Sequence, residues 1–394
     1  ADFGVTGAET VNSLKLAGAQ TLTLGGILTV SSGGVLFDNS TGAATITGGT
    51  LGASASEVII HTGGSTAANA LTVASFISGG AGSVTKSGNG TLIVSAANTF
   101  TGSVNVNAGT LRLSGALAAI GSGQTSTTLL NLRQDATLDL NAAGSSVSNW
   151  TGAANAARIS IGALVGSGSV VNTNASPAIL NLGNGGANGT FTGSINQAAG
   201  AITLVKNGGG TQSIVGANNF TGATVIRGGT LAVTSLANIG QDSGLGAGDA
   251  TSDATNAASL IFDGGILLYT GSGNNSYDNR VQNIFQTTQT PSVSIDRLFT
   301  LTASGGQIQV NGTYGNNVLG GRTENNAALV FANTGAIQYT GVIPAASTVT
   351  LTLAGNSTGD NRINLQLIDP VGAKLSISRS GYTANWTLGN ANNS

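Results

Sequence analysis

The chain has 394 residues, including 62 Gly and 4 Pro but neither Cys nor Met, with 7% charged side chains and a formal net charge of −2. Thirteen Lys and Arg spread thinly leave no basic footprint for nucleic acid or an anionic membrane, and no apolar run reaches the about 18 residues a spanning helix needs. The missing Cys excludes disulfides and thiolate metal sites. An even Gly/Ala/Ser/Thr/Asn/Leu/Val texture without a linker-like shift reads as one continuous domain, residues 1–394. Because Met is absent, Ala1 is not a translation start, so a removed signal peptide or excision from a longer chain is expected.

From Ala1 the apolar residues alternate at once (Leu14/Leu16, Leu22/Leu24, Leu28/Val30), with Gly18, Gly25-Gly26 and Gly33-Gly34 at the corners. Period-two alternation broken by Gly, Asn and Ser predicts short half-buried strands joined by tight turns, and almost no helix. Gly-Gly or Gly-Thr before an apolar residue predicts strand starts at Ile27, Val35, Leu51, Leu111, Leu231 and Ile266. Alternation continues between 116 and 200 (Leu130/Leu132, Leu138/Leu140, Ile159/Ile161, Leu180/Leu182). Beyond Gly240 it becomes less regular, and 274–294 (Tyr277, Phe285, Pro291) and 311–326 (Tyr314, Arg322, Glu324) read as loop insertions.

Residues 84–115 return at 205–235 with a constant offset of 120: Lys86/Lys206, Gly90-Thr91/Gly210-Thr211, Asn98/Asn218, Phe100-Thr101-Gly102/Phe220-Thr221-Gly222 and Gly109-Thr110-Leu111/Gly229-Thr230-Leu231. Such fixed-period self-similarity predicts a solenoid, and the steps from Leu51 to Leu111 to Leu231 suit a coil of about 20 residues. Stacked coils would set Leu92, Val94, Leu111, Leu113, Leu231, Val233, Leu351 and Leu353 in buried columns, with Asn98 and Asn218 at corners.

The run K-x-G-x-G-T-L…A-N-T-F-T-G…V-N-A-G-T-L resembles the autotransporter-associated β-strand repeat of bacterial passenger domains. Residues 48–80, 296–312, 328–341 and 351–367 read like the spacers of such proteins, and a partial copy lies near 375–394. The resemblance implies an all-β fold, a single right-handed parallel β-helix forming an elongated rod exported from the cell. It implies little about activity, because the family is defined by its scaffold.

His61, the one histidine, lies in an apolar strand and reads as structural. Asp135/Asp139 read as a solvated strand face and Asp242/Asp249/Asp253 as a turn. The calcium nonapeptide of β-rolls is missing, and no Lys-Ser/Thr follows the Gly-rich 244–248 to make a phosphate loop. No catalytic, cofactor or metal residue is assigned, no cofactor is expected, and the chain is read as no enzyme. Exposed aromatics of the insertions could stack on sugars, which makes surface glycans a candidate partner.

Three functions stay open: an extracellular fibre or sheath subunit, an adhesin passenger, and a polysaccharide-cleaving enzyme. The first is preferred on the wording of the two ends. Trp386–Asn392 aligns with Leu92–Asn98, and Val5–Ala8 with Phe220–Ala223, as if one subunit continued the next. The expected subunit contact comprises Phe3, Val5, Thr6, Gly7, Val11, Trp386, Leu388 and Asn392, giving a head-to-tail homopolymer. The expected location is extracellular or at the bacterial surface, without nucleic acid and without membrane insertion.

Overall fold

A computed structural model describes residues 3–38, 42–54, 57–64, 70–78, 82–96, 98, 100–114, 120, 128–141, 158–271, 293–314, 324–357, 359–381 and 384–393. It separates into two compact units, Ala1–Thr203 and Leu204–Ser394.

In the first unit the chain alternates between two parallel sheets, joined from Arg158–Ile161 and Ala178–Leu182 by a third, so each strand finds its sheet neighbour one coil later rather than next in sequence. One sheet runs Phe3–Val5, Thr21–Val30, Ala44–Ala53, Leu71–Val73, Thr91–Val94, Gly109–Leu113, Ala136–Asp139, Ser169–Asn172 and Ser194–Gln197. The other interleaves Leu14–Ala17, Gly34–Asp38, Glu57–Thr62, Ser83–Ser87, Val104–Val106, Leu129–Leu132, Ala163–Gly166 and Gly189–Phe191. Parallel strands need a long return between them, and here the return is the remainder of the coil. The unit is thus a β-solenoid.

In-register stacking follows from side-chain parity. Leu71, Leu92, Leu111 and Leu138 pair in sequence across four coils, and each is at most 4% exposed. A fully buried Leu, Ile or Val contributes about 1.5–3 kcal/mol, so such a column is the main source of stability. The glycine pairs behave differently from expectation at two places. Gly25-Gly26 and Gly48-Gly49 lie inside ten-residue strands, where the register shifts between Leu24 and Ile27, so Ile27 and Leu51 do not start strands. The paired glycines bend a continuous strand instead.

The second unit repeats the principle. One sheet runs Thr211–Ile214, Thr230–Val233, Ile266–Tyr269, Gly306–Val310, Thr348–Gly355 and Lys374–Ser380. A second joins Thr224–Ile226, Leu260–Phe262, Thr300–Leu301 and Gln338–Tyr339; a third joins Val293–Ile295, Leu329–Phe331, Asn361–Ile363 and Trp386–Leu388. Phe262, Phe299 and Phe331 stack edge to face inside it, with centroids 5.4 and 5.7 Å apart.

A coil of about 20 residues holds in the repeat copies and in other coils with short corners, such as Phe3 to Leu22 after nineteen residues, Leu14 to Val35 after twenty-one and Arg158 to Ile179 after twenty-one. Leu92 meets Leu111 nineteen residues on and Val84 meets Val104 twenty on; Thr211 meets Thr230 after nineteen and Leu204 meets Thr224 after twenty. Thr230, by contrast, reaches Ile266 only after thirty-six residues, and Gly306 reaches Leu351 after forty-five. Material inserted at corners lengthens the coil without disturbing its strands. The first of these contains an unexpected short helix, Asp253–Ala258, started by Ser252 and Thr255 in a capping box. The second contains an antiparallel pair, Gly312–Tyr314 with Glu324–Ala327. Of the insertion residues, Tyr277, Phe285, Pro291 and Arg322 lie outside the described residues, as do the side chains of Tyr314 and Glu324, so the aromatics expected to stack on sugars are not described.

Candidate functional site

The two repeat copies are closed by a device that the sequence analysis passed over. In Ser83–Ser87 the inward positions are Val84 and Lys86, and Lys86 is fully buried although no carboxylate among the described residues pairs with it. Its Nζ donates to the carbonyls of Ser87 at 3.1 Å, Gly88, and Ala108 at 2.8 Å. Lys206, also fully buried, donates to Asn207 at 2.6 Å, Gly208 at 3.0 Å and Gly228 at 2.9 Å. In both copies the acceptors stand one, two and twenty-two residues beyond the lysine. The third belongs to the following coil, so each ammonium ties its own corner to the next.

Burial lowers both lysine pKa values to about 8, which leaves them charged at neutral pH. Glycines with positive φ shape the carbonyl cradle: Gly88 and Gly109 in the first copy (77° and 67°), Gly208 and Gly229 in the second (64° and 57°). The sequence did carry a signal. Each lysine has inward parity beside a buried Val or Leu and precedes Gly-x-Gly, wording easily read as repeat decoration.

A third buried cation follows the same rule. Arg297, 1% exposed, donates through Nε to Ala237 O at 2.8 Å and through Nη2 to Gly246 O at 2.6 Å and Ala247 O at 3.1 Å. Desolvation lowers its pKa to about 10 against the opposing charge of Asp296, and its Nη1 has no hydrogen-bond partner.

The repeat asparagines are buried at corners, as expected. Asn98 Oδ1 accepts from Ile77 N at 2.8 Å, standing in for a strand neighbour, whereas Asn218 Nδ2 donates to Gly216 O and Ser243 O, each at 3.0 Å.

The carboxylates need one correction. Asp135 is exposed in a turn, whereas Asp139 is 1% exposed, so the two share no solvated strand face. Asp139 accepts from Arg112 Nε at 2.8 Å, Thr173 Oγ1 at 2.7 Å and the amides of Thr173 and Asn141 at 3.1 Å each. Arg112, Asp139 and Thr173 therefore clamp three coils, and Arg227, Asp263 and Thr302 repeat the clamp at 3.0 and 2.7 Å. Asp249 is half-buried outside any strand or helix, with its pKa lowered by its hydrogen bond from Thr251, and Asp253 opens the short helix.

His61 faces outward with its Nδ1 3.1 Å from Ser87 Oγ, in a shallow depression edged by Gly63, Gly64, Gly88 and Asn89. Among the described residues no three His, Asp or Glu side chains gather where they could hold a metal, and no helix is long and apolar enough to cross a membrane.

The residues expected at the subunit contact lie on sheet edges. Phe3–Val5 pairs on one side with Leu22–Leu24 and Glu9–Val11 with Leu28–Val30; Phe3 is 54% exposed, Val5, Gly7 and Val11 are half-buried, and Thr6 is exposed. In the second unit Trp386–Leu388 pairs with Asn361–Ile363, and Trp386 Nε1 donates to Ala354 O at 3.2 Å. Leu388 is 39% exposed, and the exposed Asn392 donates its amide to Asn390 Oδ1.

Stacked coils, corner lysines and interleaved polar clamps define a parallel solenoid of repeated rungs. The family described as Passenger-associated-transport-repeat matches residues 84–113 and 204–233, the two segments that carry Lys86 and Lys206. The chain is an autotransporter passenger repeat protein. It is 34% identical over 310 residues, 78% of its length, to "Adhesin BmaC autotransporter" of Brucella suis biovar 1 (strain 1330). The chain spans 7% of the length of that relative. No solved structure matches.

Proposed function

We propose that the chain is an adhesin-type passenger segment, a parallel solenoid displayed at the bacterial surface that acts by presenting its faces to a surface or glycan rather than by catalysis. The observation that carries this reading is the 34% identity over 78% of the chain to an autotransporter adhesin. The site chemistry agrees with it: the described buried charges are bound to backbone carbonyls or to each other, which suits scaffolding. The similarity lends no support to the head-to-tail fibre, the reading preferred from the sequence, and favours the adhesin alternative.

The test is display of the chain on a non-adherent bacterium, scored for attachment to host cells, extracellular matrix and a glycan array. A gain of attachment over an unrelated solenoid displayed at equal density supports the proposal. Equal attachment, or release of sugar fragments from a polysaccharide by the folded chain, contradicts it.

A further inference from the structure

We propose that the buried lysine of each repeat copy is a register lock, excluding the two-residue slip between neighbouring coils that the apolar pattern alone permits. Strand side chains alternate with period two, so a slip of one residue turns the whole apolar set outward and is forbidden by burial. A slip of two residues restores the same parity. Val84-Thr85-Lys86 pairs with Val104-Asn105-Val106, and sliding one V-x-V-like triplet by two positions keeps apolar residues inside and polar ones outside. The outer face does not discriminate either, because Ser103, Asn105 and Asn107 would each offer Thr85 a polar neighbour.

Lys86 does discriminate. Its ammonium reaches Ala108 O, on the following coil, at 2.8 Å. A two-residue slip moves that carbonyl by about 6.6 Å, beyond any hydrogen bond, and leaves the buried ammonium one acceptor short, with only Ser87 O and Gly88 O of its own coil. The second copy makes the case independently. Leu204-Val205-Lys206 pairs with Thr224-Val225-Ile226, and Lys206 reaches Gly228 O at 2.9 Å, again twenty-two residues on. Buried polar groups are best attested as determinants of register rather than of net stability, because desolvation offsets much of what their bonds contribute. Two copies that share nearly the same wording within one chain have particular need of such a determinant, since their short strands carry little other individual information.

The absence of native cysteine permits a direct test by engineered pairs. Thr85→Cys with Asn105→Cys sits in register, at about the 4.8 Å strand spacing that a disulfide spans. Thr85→Cys with Ser103→Cys, or with Asn107→Cys, is two residues off and about 8 Å apart, too far to bridge. On oxidation of the full chain carrying Lys86, only the in-register pair is expected to crosslink. In the same chains carrying Lys86→Met, an off-register bridge is expected beside the in-register one, with an unchanged β-sheet circular dichroism signal. Bridging only in register in the Lys86→Met chains overturns the proposal. So does off-register bridging while Lys86 is present, or loss of the β-sheet signal on Lys86→Met, which would make the lysine a requirement for stability.

Discussion

Lys86 and Lys206 keep an ammonium in an apolar interior with only carbonyl oxygens around it, and this fixes how the fold responds to alkali. Their folded pKa values of about 8 lie below the ordinary 10.5, so between those values the unfolded chain binds more protons than the native one. Stability is therefore expected to rise as pH climbs from about 8 towards 10, as the penalty of the buried charge is relieved. Tyr269 acts with the opposite sign: burial raises its pKa to about 12, so above about 10 the native state holds the extra proton and further alkali destabilises. Denaturant midpoints between pH 7.5 and 10 should rise in the parent and stay flatter in a Lys86→Met/Lys206→Met chain; parallel curves would refute the assignment. At the same corner, Gly109 has φ 67°, and a Cβ there would collide with Gly90 O. Gly109→Ala is expected to cost more than the about 1–2 kcal/mol of left-handed strain alone, because backbone must also move. His61→Gln, on an outward face, should stay within about 0.5 kcal/mol.

At the scale of coils and strands, the columns and the three-coil clamps set the energetics. Leu111 is 4% exposed and Leu231 fully buried, each paired in a parallel ladder on both sides. Leu111→Asp or Leu231→Asp introduces a carboxylate with no partner and is expected to abolish folding; Leu→Ala at either site should cost about 2–5 kcal/mol. A chain of either Asp variant that melts within a few degrees of the parent would contradict the column. The clamps should differ from one another. Asp139 is 1% exposed, so Asp139→Asn is expected to cost about 3 kcal/mol by stranding Arg112. Asp263 and Arg227 are 15% and 31% exposed, and Asp263→Asn should cost nearer 1 kcal/mol. Equal losses in urea titrations would show that burial does not govern these pairs.

This is also the scale at which the limits of the sequence are clearest. Alternation in Leu92/Val94 and Leu111/Leu113 marked strands and columns because parity is a local property, written in consecutive residues. Coil length was legible only where corners are minimal, since residues inserted between Val233 and Ile266 change the count without changing the pattern that strands require. Asp139 was misread because its partners, Arg112 and Thr173, come from the coils before and after, twenty-seven and thirty-four residues away. Lys86 and Lys206 appeared in the sequence as matched letters; that they point inward follows from parity, but that carbonyls await them follows from glycine φ angles that no side chain announces.

For the whole molecule, the adhesin-type reading needs a scaffold whose rungs keep their register without disulfides, and three buried cations held by backbone carbonyls are part of how this chain meets that need. The central claim is that both repeat copies close around a buried, charged lysine in the same way. The chain has four lysines, Lys15, Lys86, Lys206 and Lys374, so selective 13Cε labelling gives a spectrum simple enough to assign by single Lys→Arg changes. Two resonances, those of Lys86 and Lys206, should titrate near pH 8, while that of Lys374, whose pKa is raised by its bond to Asp369, should titrate later than an ordinary lysine. Lys86 and Lys206 titrating together with Lys374 at the alkaline end would mean that the two side chains lie in solvent, and would contradict the account.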